Sequence, residues 1–149
     1  MIKILLFASL FVPIIATSQV REKNFNLDNH LAIQGYDPTA YFNTHKAVKG
    51  KKEFSYNYEG VTYYFSSAEN RNLFIANPAK YEPQYGGWCA TALAVGHGKV
   101  DVDPKSFKVT DGKLFLFYNG LLADARKVWV KDEPGNIVKA DQAWKKIAE

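Results

Sequence analysis

One cysteine and one nearby histidine carry most of the chemistry that this sequence offers. Cys89 follows Gly86-Gly87-Trp88, and His97 stands eight residues further on, between Gly96 and Gly98. Because glycine readily adopts positive φ, the loop can fold back and bring the imidazole towards the thiol. A thiolate and an imidazole together can hold Cu(I), or act as a nucleophile with its base. The alternative is that Cys89 is a small buried residue on an alanine-rich helix and His97 an exposed loop residue.

A carboxylate among aromatic residues forms a second candidate site. Asp37 follows Tyr36, and Tyr41 and Tyr85 are further hydroxyl-bearing side chains of the same blocks of sequence. If the carboxylate points into a pocket with these tyrosines, the four residues would bind a small ligand. The alternative is that Asp37 caps backbone N–H groups of its own turn and that the tyrosines belong to the core.

Composition and missing motifs argue against several classes of function. The chain has 19 Lys and Arg against 15 Asp and Glu, and no interleaved basic and aromatic motif accompanies this excess, so nucleic acid is not expected as a partner. His30 and His45 stand in polar segments and are interpreted as surface residues. The sequence contains no G-x-S-x-G, H-E-x-x-H, P-loop, G-x-G-x-x-G or C-x-x-C motif. These absences favour a binding module over an enzyme.

Two β-hairpins are predicted from alternating side chains and turn dipeptides. The segment 54–65 alternates aromatic and polar residues before Glu59-Gly60 and returns as a strand rich in β-branched and aromatic residues. The segment 107–118 has the same form around Asp111-Gly112. With the helices between and after them, we predict an α+β fold in which the two hairpins form a small antiparallel sheet packed with several short helices.

The helix after the first hairpin has recognisable ends. Ser66 and Glu69 have the spacing of a capping box, and Asn77-Pro78 is expected to stop the helix. The residues expected to face inward are Ala68, Leu73 and Ala76, with Phe74 near them.

Three further helices are predicted, over 88–95, 121–131 and 137–147. Leu122 is one of the apolar residues expected to face the core from the second of them. Pro134-Gly135 is expected to interrupt the helical structure between the second and the third of these helices.

The first eighteen residues have the three parts of a secretory signal sequence. A single lysine precedes a nearly continuous apolar run over 4–15, and small residues lead to a cleavage site after Ser18. The run is shorter than the roughly 20 residues that cross a bilayer as a helix, so no membrane span is expected after cleavage. We therefore predict a signal peptide over 1–18, a single domain over 19–149 with a loose polar lead-in at 19–30, and a secreted or periplasmic location.

Several ordered blocks along the chain carry a recognisable pattern. They are Gly35-Tyr36-Asp37-Pro38-Thr39-Ala40-Tyr41-Phe42, Tyr63-Tyr64-Phe65-Ser66-Ser67-Ala68-Glu69-Asn70, Asn77-Pro78-Ala79-Lys80-Tyr81 and Gln84-Tyr85-Gly86-Gly87-Trp88-Cys89-Ala90. Together they resemble the YHS domain, and more closely the exported, stand-alone YHS-domain proteins. The core of the resemblance covers about 31–95.

The resemblance implies a role with a heavy metal such as copper. YHS modules attached to copper-transporting ATPases carry cysteines in a block of the FCSxxC type, and thiolates select Cu(I) or Zn(II). Here the aligned positions are Ser66 and Asn70, whose neutral side chains are poor ligands for soft metals. The ATPase-type cysteine site is therefore absent from this sequence, and any metal site must use other residues.

Two functional hypotheses arise from these patterns, and a third is a thiol enzyme with Cys89 as its nucleophile. The first is an exported YHS-domain protein that binds Cu or Zn through Cys89, with His97 as a further ligand. The second is a module without a metal that binds a partner or a small ligand or has a structural role, with Cys89 as a core residue.

Overall fold

The computed structural model describes residues 15–149. The predicted signal peptide, 1–18, lies outside the described residues except for its last four, which belong to helix α1, Ile15–Asn24. Within the described part of the chain, no helix combines the length and the apolar character that a membrane crossing requires. The segment 19–30, expected to be a loose lead-in, is instead held against the domain, because the Asn26 N–H donates to the Gly86 carbonyl at 2.8 Å.

Pairs of strands are followed by one or more helices along the rest of the chain, which is the pattern of an α+β fold. In order they are β1 (Leu27–Asp28), β2 (Leu31–Ala32), α2 (Ala40–Asn43), β3 (Lys51–Tyr58), β4 (Val61–Phe65), α3 (Ala68–Ala76), α4 (Pro78–Tyr81), α5 (Ala90–Ala94), β5 (Asp103–Thr110), β6 (Lys113–Phe117), α6 (Ala125–Trp129) and α7 (Glu133–Ala148). Two 3-10 turns, Ile33–Gly35 and Gln84–Gly87, complete the set. The predicted α+β class is confirmed.

Both predicted hairpins are present, but they lie in separate sheets rather than in one. β3 and β4 pair antiparallel and β2 adds parallel to β4, so the first sheet has the order β1-β2-β4-β3. β5 and β6 form a two-stranded antiparallel sheet. The chain between the hairpins runs beside β6, where Pro83 bridges to Leu114 and Cys89 to Leu116. This segment pairs with β6 on the side away from β5, which keeps the two sheets apart.

Helix α3 covers the first sheet through a single aromatic side chain. Phe74 is fully buried, and its ring centroid lies 4.7 Å from that of Tyr63 and 5.2 Å from that of Phe65. The helix cap is Ser67, whose hydroxyl accepts from the Asn70 N–H, and not the predicted Ser66. The residues predicted to face inward, Ala68, Leu73 and Ala76, are exposed.

A second core cluster forms where the C-terminal helices pack on β6. Trp129 is fully buried, and its ring centroid lies 5.2 Å from that of Phe115 and 5.6 Å from that of Phe117. Helix α7 begins earlier than predicted, because Asp132 accepts a hydrogen bond from the Gly135 N–H and Pro134 sits in the first turn. Proline is well tolerated there, since an N–H in the first turn has no partner within the helix.

Helix α6 is shorter than predicted, and the predicted inward residue Leu122 is 96 % exposed. The Asp124 carboxylate accepts from the Arg126 N–H at 3.0 Å, which starts the helix at Ala125. A capping side chain of this kind satisfies an N–H that has no helical partner. The residues before Asp124 are therefore left in a loop.

The Asp37 carboxylate joins three segments of the chain inside the domain. It is fully buried. Its Oδ1 accepts from the backbone N–H groups of Thr39 at 2.8 Å and Ala40 at 3.3 Å. Its Oδ2 accepts from the Ser66 N–H at 2.8 Å, the Ser66 hydroxyl at 2.7 Å and the Asn70 side-chain amide at 2.7 Å. The turn before α2, the end of β4 and the start of α3 are thus tied to one group.

The Glu133 carboxylate ties α7 to the second hairpin. It accepts from the Thr110 hydroxyl at 2.9 Å and the Trp129 indole N–H at 2.9 Å, and it also pairs with the Lys108 ammonium. Burial alone would raise the pKa of Glu133, but the hydrogen bonds from Lys108, Trp129 and Thr110 outweigh it and lower the pKa. The charged form of Glu133 is therefore the one that stabilises the fold.

We predict that Asp37→Asn lowers the free energy of unfolding by about 3 kcal/mol or more. The new NH2 group replaces one accepting oxygen, so the N–H or O–H donors that faced this oxygen lose their acceptor. Ser66→Ala removes a single hydroxyl donor and should cost about 1 kcal/mol. Urea denaturation of both variants measures the difference. If Asp37→Asn is no more harmful than Ser66→Ala, the carboxylate does not hold the three segments together.

We predict that Glu133→Gln reduces stability near neutral pH and flattens its decline in acid. Because the folded-state pKa is lowered, the contribution of Glu133 is present above the ordinary carboxyl pKa of 4.5 and is lost as pH falls through the folded value. Urea denaturation gives the free energy of unfolding at about pH 7 and at about pH 3. The difference between these two free energies should be smaller for Glu133→Gln than for the parent. The exposed Glu53, changed to Gln, is the matched control and should keep the parental pH dependence.

Candidate ligand site around Cys89

A left-handed turn after α4 delivers Cys89 to the edge of β6. Tyr85, Gly86 and Gly87 have φ values of 56°, 60° and 84°. A Cβ on Gly86 would lie 3.1 Å from Phe25 Cα and 3.1 Å from the Trp144 ring, so both the conformation and the space at this position favour glycine. The chain then extends along β6.

The Cys89 side chain is buried and accepts a hydrogen bond. It is 1 % exposed and is the N-cap residue of α5. Its Sγ accepts from the Tyr118 N–H at 3.2 Å, and its own N–H donates to the Val100 carbonyl at 2.9 Å. An N–H aimed at sulfur stabilises negative charge on a thiolate more than it stabilises a neutral thiol.

His97 is brought back towards Cys89 by the loop that ends α5. Gly96 and Gly98 have φ values of 84° and 72°, and the His97 N–H donates to the Ala92 carbonyl at 2.8 Å. The His97 imidazole is exposed to solvent. The structure thereby places Cys89 and His97 on the wall of the same pocket.

This pocket, which we call the Cys89 pocket, has a volume of about 400 Å³ and mainly apolar walls. Its lining residues are Cys89, Thr91, Ala92, Val95, His97, Val100, Tyr118, Ala123, Asp124, Ala125 and Val128. The Thr91 hydroxyl donates to the Ala125 carbonyl at 2.8 Å, and Asp124 caps α6. With those two polar groups engaged, the Cys89 thiol and the His97 imidazole are well placed to meet a ligand.

The second predicted site is not assembled in the described part of the chain. Both carboxylate oxygens of Asp37 accept hydrogen bonds from donors within the protein, as the turn-capping alternative anticipated. Tyr36 is half-buried beneath Lys49, whose ammonium lies 4.6 Å from the ring centroid. The four residues predicted to share a ligand pocket therefore have separate roles, and the structure does not arrange Tyr36, Asp37, Tyr41 and Tyr85 around one cavity.

Tyr41 and Tyr85 illustrate this separation, because they belong to different core clusters. The Tyr41 hydroxyl donates to the Pro104 carbonyl at 2.9 Å. Its pKa is raised, mainly by burial and to a smaller extent by the nearby Tyr36, Asp103 and Asp37. The Tyr85 hydroxyl donates to the Asp141 carboxylate at 2.9 Å. The pKa of Tyr85 is raised, mainly by burial and to a smaller extent by this hydrogen bond. Both hydroxyls stay protonated and hold the fold together.

Sequence reasoning found two members of the Cys89 pocket but missed the rest of its wall. Val100, Tyr118 and Val128 come from three segments that meet only in the folded chain. No local pattern marks them, since each is one apolar or aromatic residue among many. The exposed Val95, Val128 and Tyr118 become informative once their common location is known.

Metal-ligating side chains are sparse around this pocket. Among residues 15–149, His, Cys, Asp and Glu form no group of three or more that could hold a metal ion. The positions aligned with the ATPase-type cysteines, Ser66 and Asn70, both donate to Asp37. The donors that fit a soft metal are therefore the Cys89 and His97 pair.

Comparison with known proteins identifies the central part of the chain. No curated protein and no solved structure matches it. The family model of the YHS domain matches residues 39–85, a narrower span than the predicted 31–95. The match ends before Cys89, so the Cys89 pocket is built by the part of the chain after it. The predicted resemblance is confirmed over these residues: the chain contains a YHS domain.

Proposed function

We propose that this protein binds Cu(I) in the Cys89 pocket, with the Cys89 thiolate and the His97 imidazole as ligands. The observation that carries the proposal is that these two side chains line one pocket. As the predicted signal sequence over 1–18 implies, the proposal assigns this binding to the exported protein, in a secreted or periplasmic setting.

The character of the pocket supports a soft monovalent ion. Thiolate and imidazole are ligands that Cu(I) accepts, and Cu(I) is stable with few ligands. A thiolate bound to Cu(I) is neutral overall, which suits apolar walls better than a bare charge. Zn(II) takes three or four protein ligands, so the pair suits Cu(I) better than Zn(II).

The YHS segment itself supports the proposal only through the general association of this domain with metals. The thiolate positions of the ATPase-type modules are Ser66 and Asn70 here, and both are occupied in holding Asp37. The proposed ion is therefore held by residues that follow the matched segment.

A specific observation favours a second candidate, a small apolar ligand without a metal. Pockets for small molecules have volumes of roughly 300–1,000 Å³ and mainly apolar walls with a few polar groups. The Cys89 pocket, at about 400 Å³, has this size and character. In this case Cys89 and His97 would contact the ligand as hydrogen-bonding groups.

We predict that Cys89→Ser abolishes Cu(I) binding and that His97→Asn weakens it by about tenfold or more, because each removes one of two ligands. Anaerobic Cu(I) titration against a competing chelator measures the affinities. X-ray absorption of the loaded parent protein should show sulfur and nitrogen ligands.

His45→Asn is the matched control for the copper titration, because His45 is exposed and lies outside the Cys89 pocket. Thermal unfolding of each variant shows that the fold is kept. Equal Cu(I) uptake by the parent and Cys89→Ser would contradict the metal proposal.

We predict for the second candidate that a neutral apolar dye, 1-aminoanthracene, binds the parent protein and that Val128→Trp weakens its binding by about tenfold. Val128 is 46 % exposed on the pocket wall, so an indole there fills the pocket without disturbing the core. Fluorescence titration measures the affinity.

Val138→Trp on α7 is the matched control for the dye, since Val138 is also exposed and does not line the pocket. Cys89→Ser should leave dye binding in place, which separates the two candidates. Equal dye binding by Val128→Trp and Val138→Trp would show that the dye does not use this pocket.

A further inference from the structure

The loop between β6 and α6 presents two leucines to solvent on an ordered backbone. The Gly120 N–H donates to the Ala123 carbonyl at 2.9 Å, and the Ala125 N–H donates to the Tyr118 carbonyl at 3.0 Å. These hydrogen bonds form a narrow hairpin-like loop. At its tip, Leu121 is 100 % exposed and Leu122 is 96 % exposed.

These leucines lie close to the mouth of the Cys89 pocket. A neighbouring cavity, lined by Leu121, Leu122 and Lys127, shares Ala123 and Asp124 with that pocket. At the mouth of the Cys89 pocket itself, Val95, Tyr118 and Val128 are exposed. Single exposed leucines are ordinary, but two adjacent exposed leucines close to three further exposed apolar or aromatic side chains indicate an interaction site.

The charges beside the tip favour an anionic partner. The segment 118–131 contains three basic residues, Arg126, Lys127 and Lys131, and one acidic residue, Asp124. The Asp124 carboxylate caps α6 and also lies 3.9 Å from the Lys127 ammonium, whose side chain is 82 % exposed. Exposed apolar side chains next to basic ones suit an anionic bilayer, in which phosphates lie above the acyl chains.

The shape of the tip favours a lipid surface over a protein. A stable protein interface buries roughly 800 Å² on each partner, usually with a broad complementary patch. Two side chains on a narrow loop offer little area for that, but they can enter the boundary between headgroups and acyl chains without a shaped counterpart.

We propose that this loop docks the protein on an anionic lipid surface, with Leu121 and Leu122 inserted below the phosphates and Lys127, Arg126 and Lys131 facing them. The bilayer meets the apolar surface at the mouth of the Cys89 pocket, so docking orients the pocket towards the membrane. The proposal uses residues that the metal site does not, and it stands whether or not Cu(I) binds.

Co-sedimentation of the full chain with vesicles of phosphatidylglycerol and phosphatidylcholine tests the proposal. We expect the partition coefficient to fall about tenfold for each of Leu121→Asp and Leu122→Asp. For Lys127→Gln we expect a fall of about fivefold, which disappears on pure phosphatidylcholine. Val138→Asp, at a position 56 % exposed on α7, is the matched control and should bind as the parent does.

A site-specific readout separates the loop from any other segment that binds lipid. Leu122→Trp adds one indole to the three of the parent, and brominated lipids should quench this added emission on anionic vesicles. Unchanged vesicle binding by the double variant Leu121→Asp/Leu122→Asp, or no quenching of the added indole, would overturn the proposal. Self-association in sedimentation velocity that the double variant removes, without vesicle binding by the parent, would overturn it in favour of a second copy. The Cu(I) affinity of the double variant should equal that of the parent.

Discussion

A buried carboxylate with five donors is the constraint on which the arrangement of this domain depends. An isolated buried charge is strongly destabilising. The donors around Asp37 offset that cost, but only when the turn before α2, the end of β4 and the start of α3 are all in place. Because Ser66 directly follows β4 and Asn70 lies in α3, one group sets the direction in which α3 leaves the hairpin. Phe74, one turn after Asn70, then packs on the aromatic side chains of the sheet.

The YHS segment acts as a scaffold, and the candidate site is built by residues that come after it in the chain. The matched residues, 39–85, end inside the left-handed turn that carries the chain to β6. Cys89 comes just after that turn, and the rest of the pocket wall comes from the loop around His97, the end of β6 and α6. Function resides in particular sites rather than in a shared fold, so the family match alone does not define the ligand.

One helix cap shapes much of the apolar surface near the pocket. Asp124 caps α6, and the residues before it therefore stay out of the helix and form the loop with Leu121 and Leu122 at its tip. The same capping residue lies in the wall of the Cys89 pocket and of the neighbouring cavity. The point at which α6 begins thus decides where Leu122 lies. In a longer helix, Leu122 would lie on the same face as Ala125 and Trp129, towards the core.

The sequence by itself determined the features that depend on neighbouring residues. Strand alternation and turn dipeptides located both hairpins, and the glycines around His97 indicated the loop that returns it towards Cys89, because period and turn chemistry are local properties. The tertiary structure decided what depends on distant partners. The donors of Asp37 lie up to 33 residues away along the chain. Only the folded chain therefore showed that this carboxylate accepts hydrogen bonds within the protein and does not bind a ligand. The pairing of residues 83–89 with β6, which separates the two sheets, is also a contact between segments that no local pattern connects.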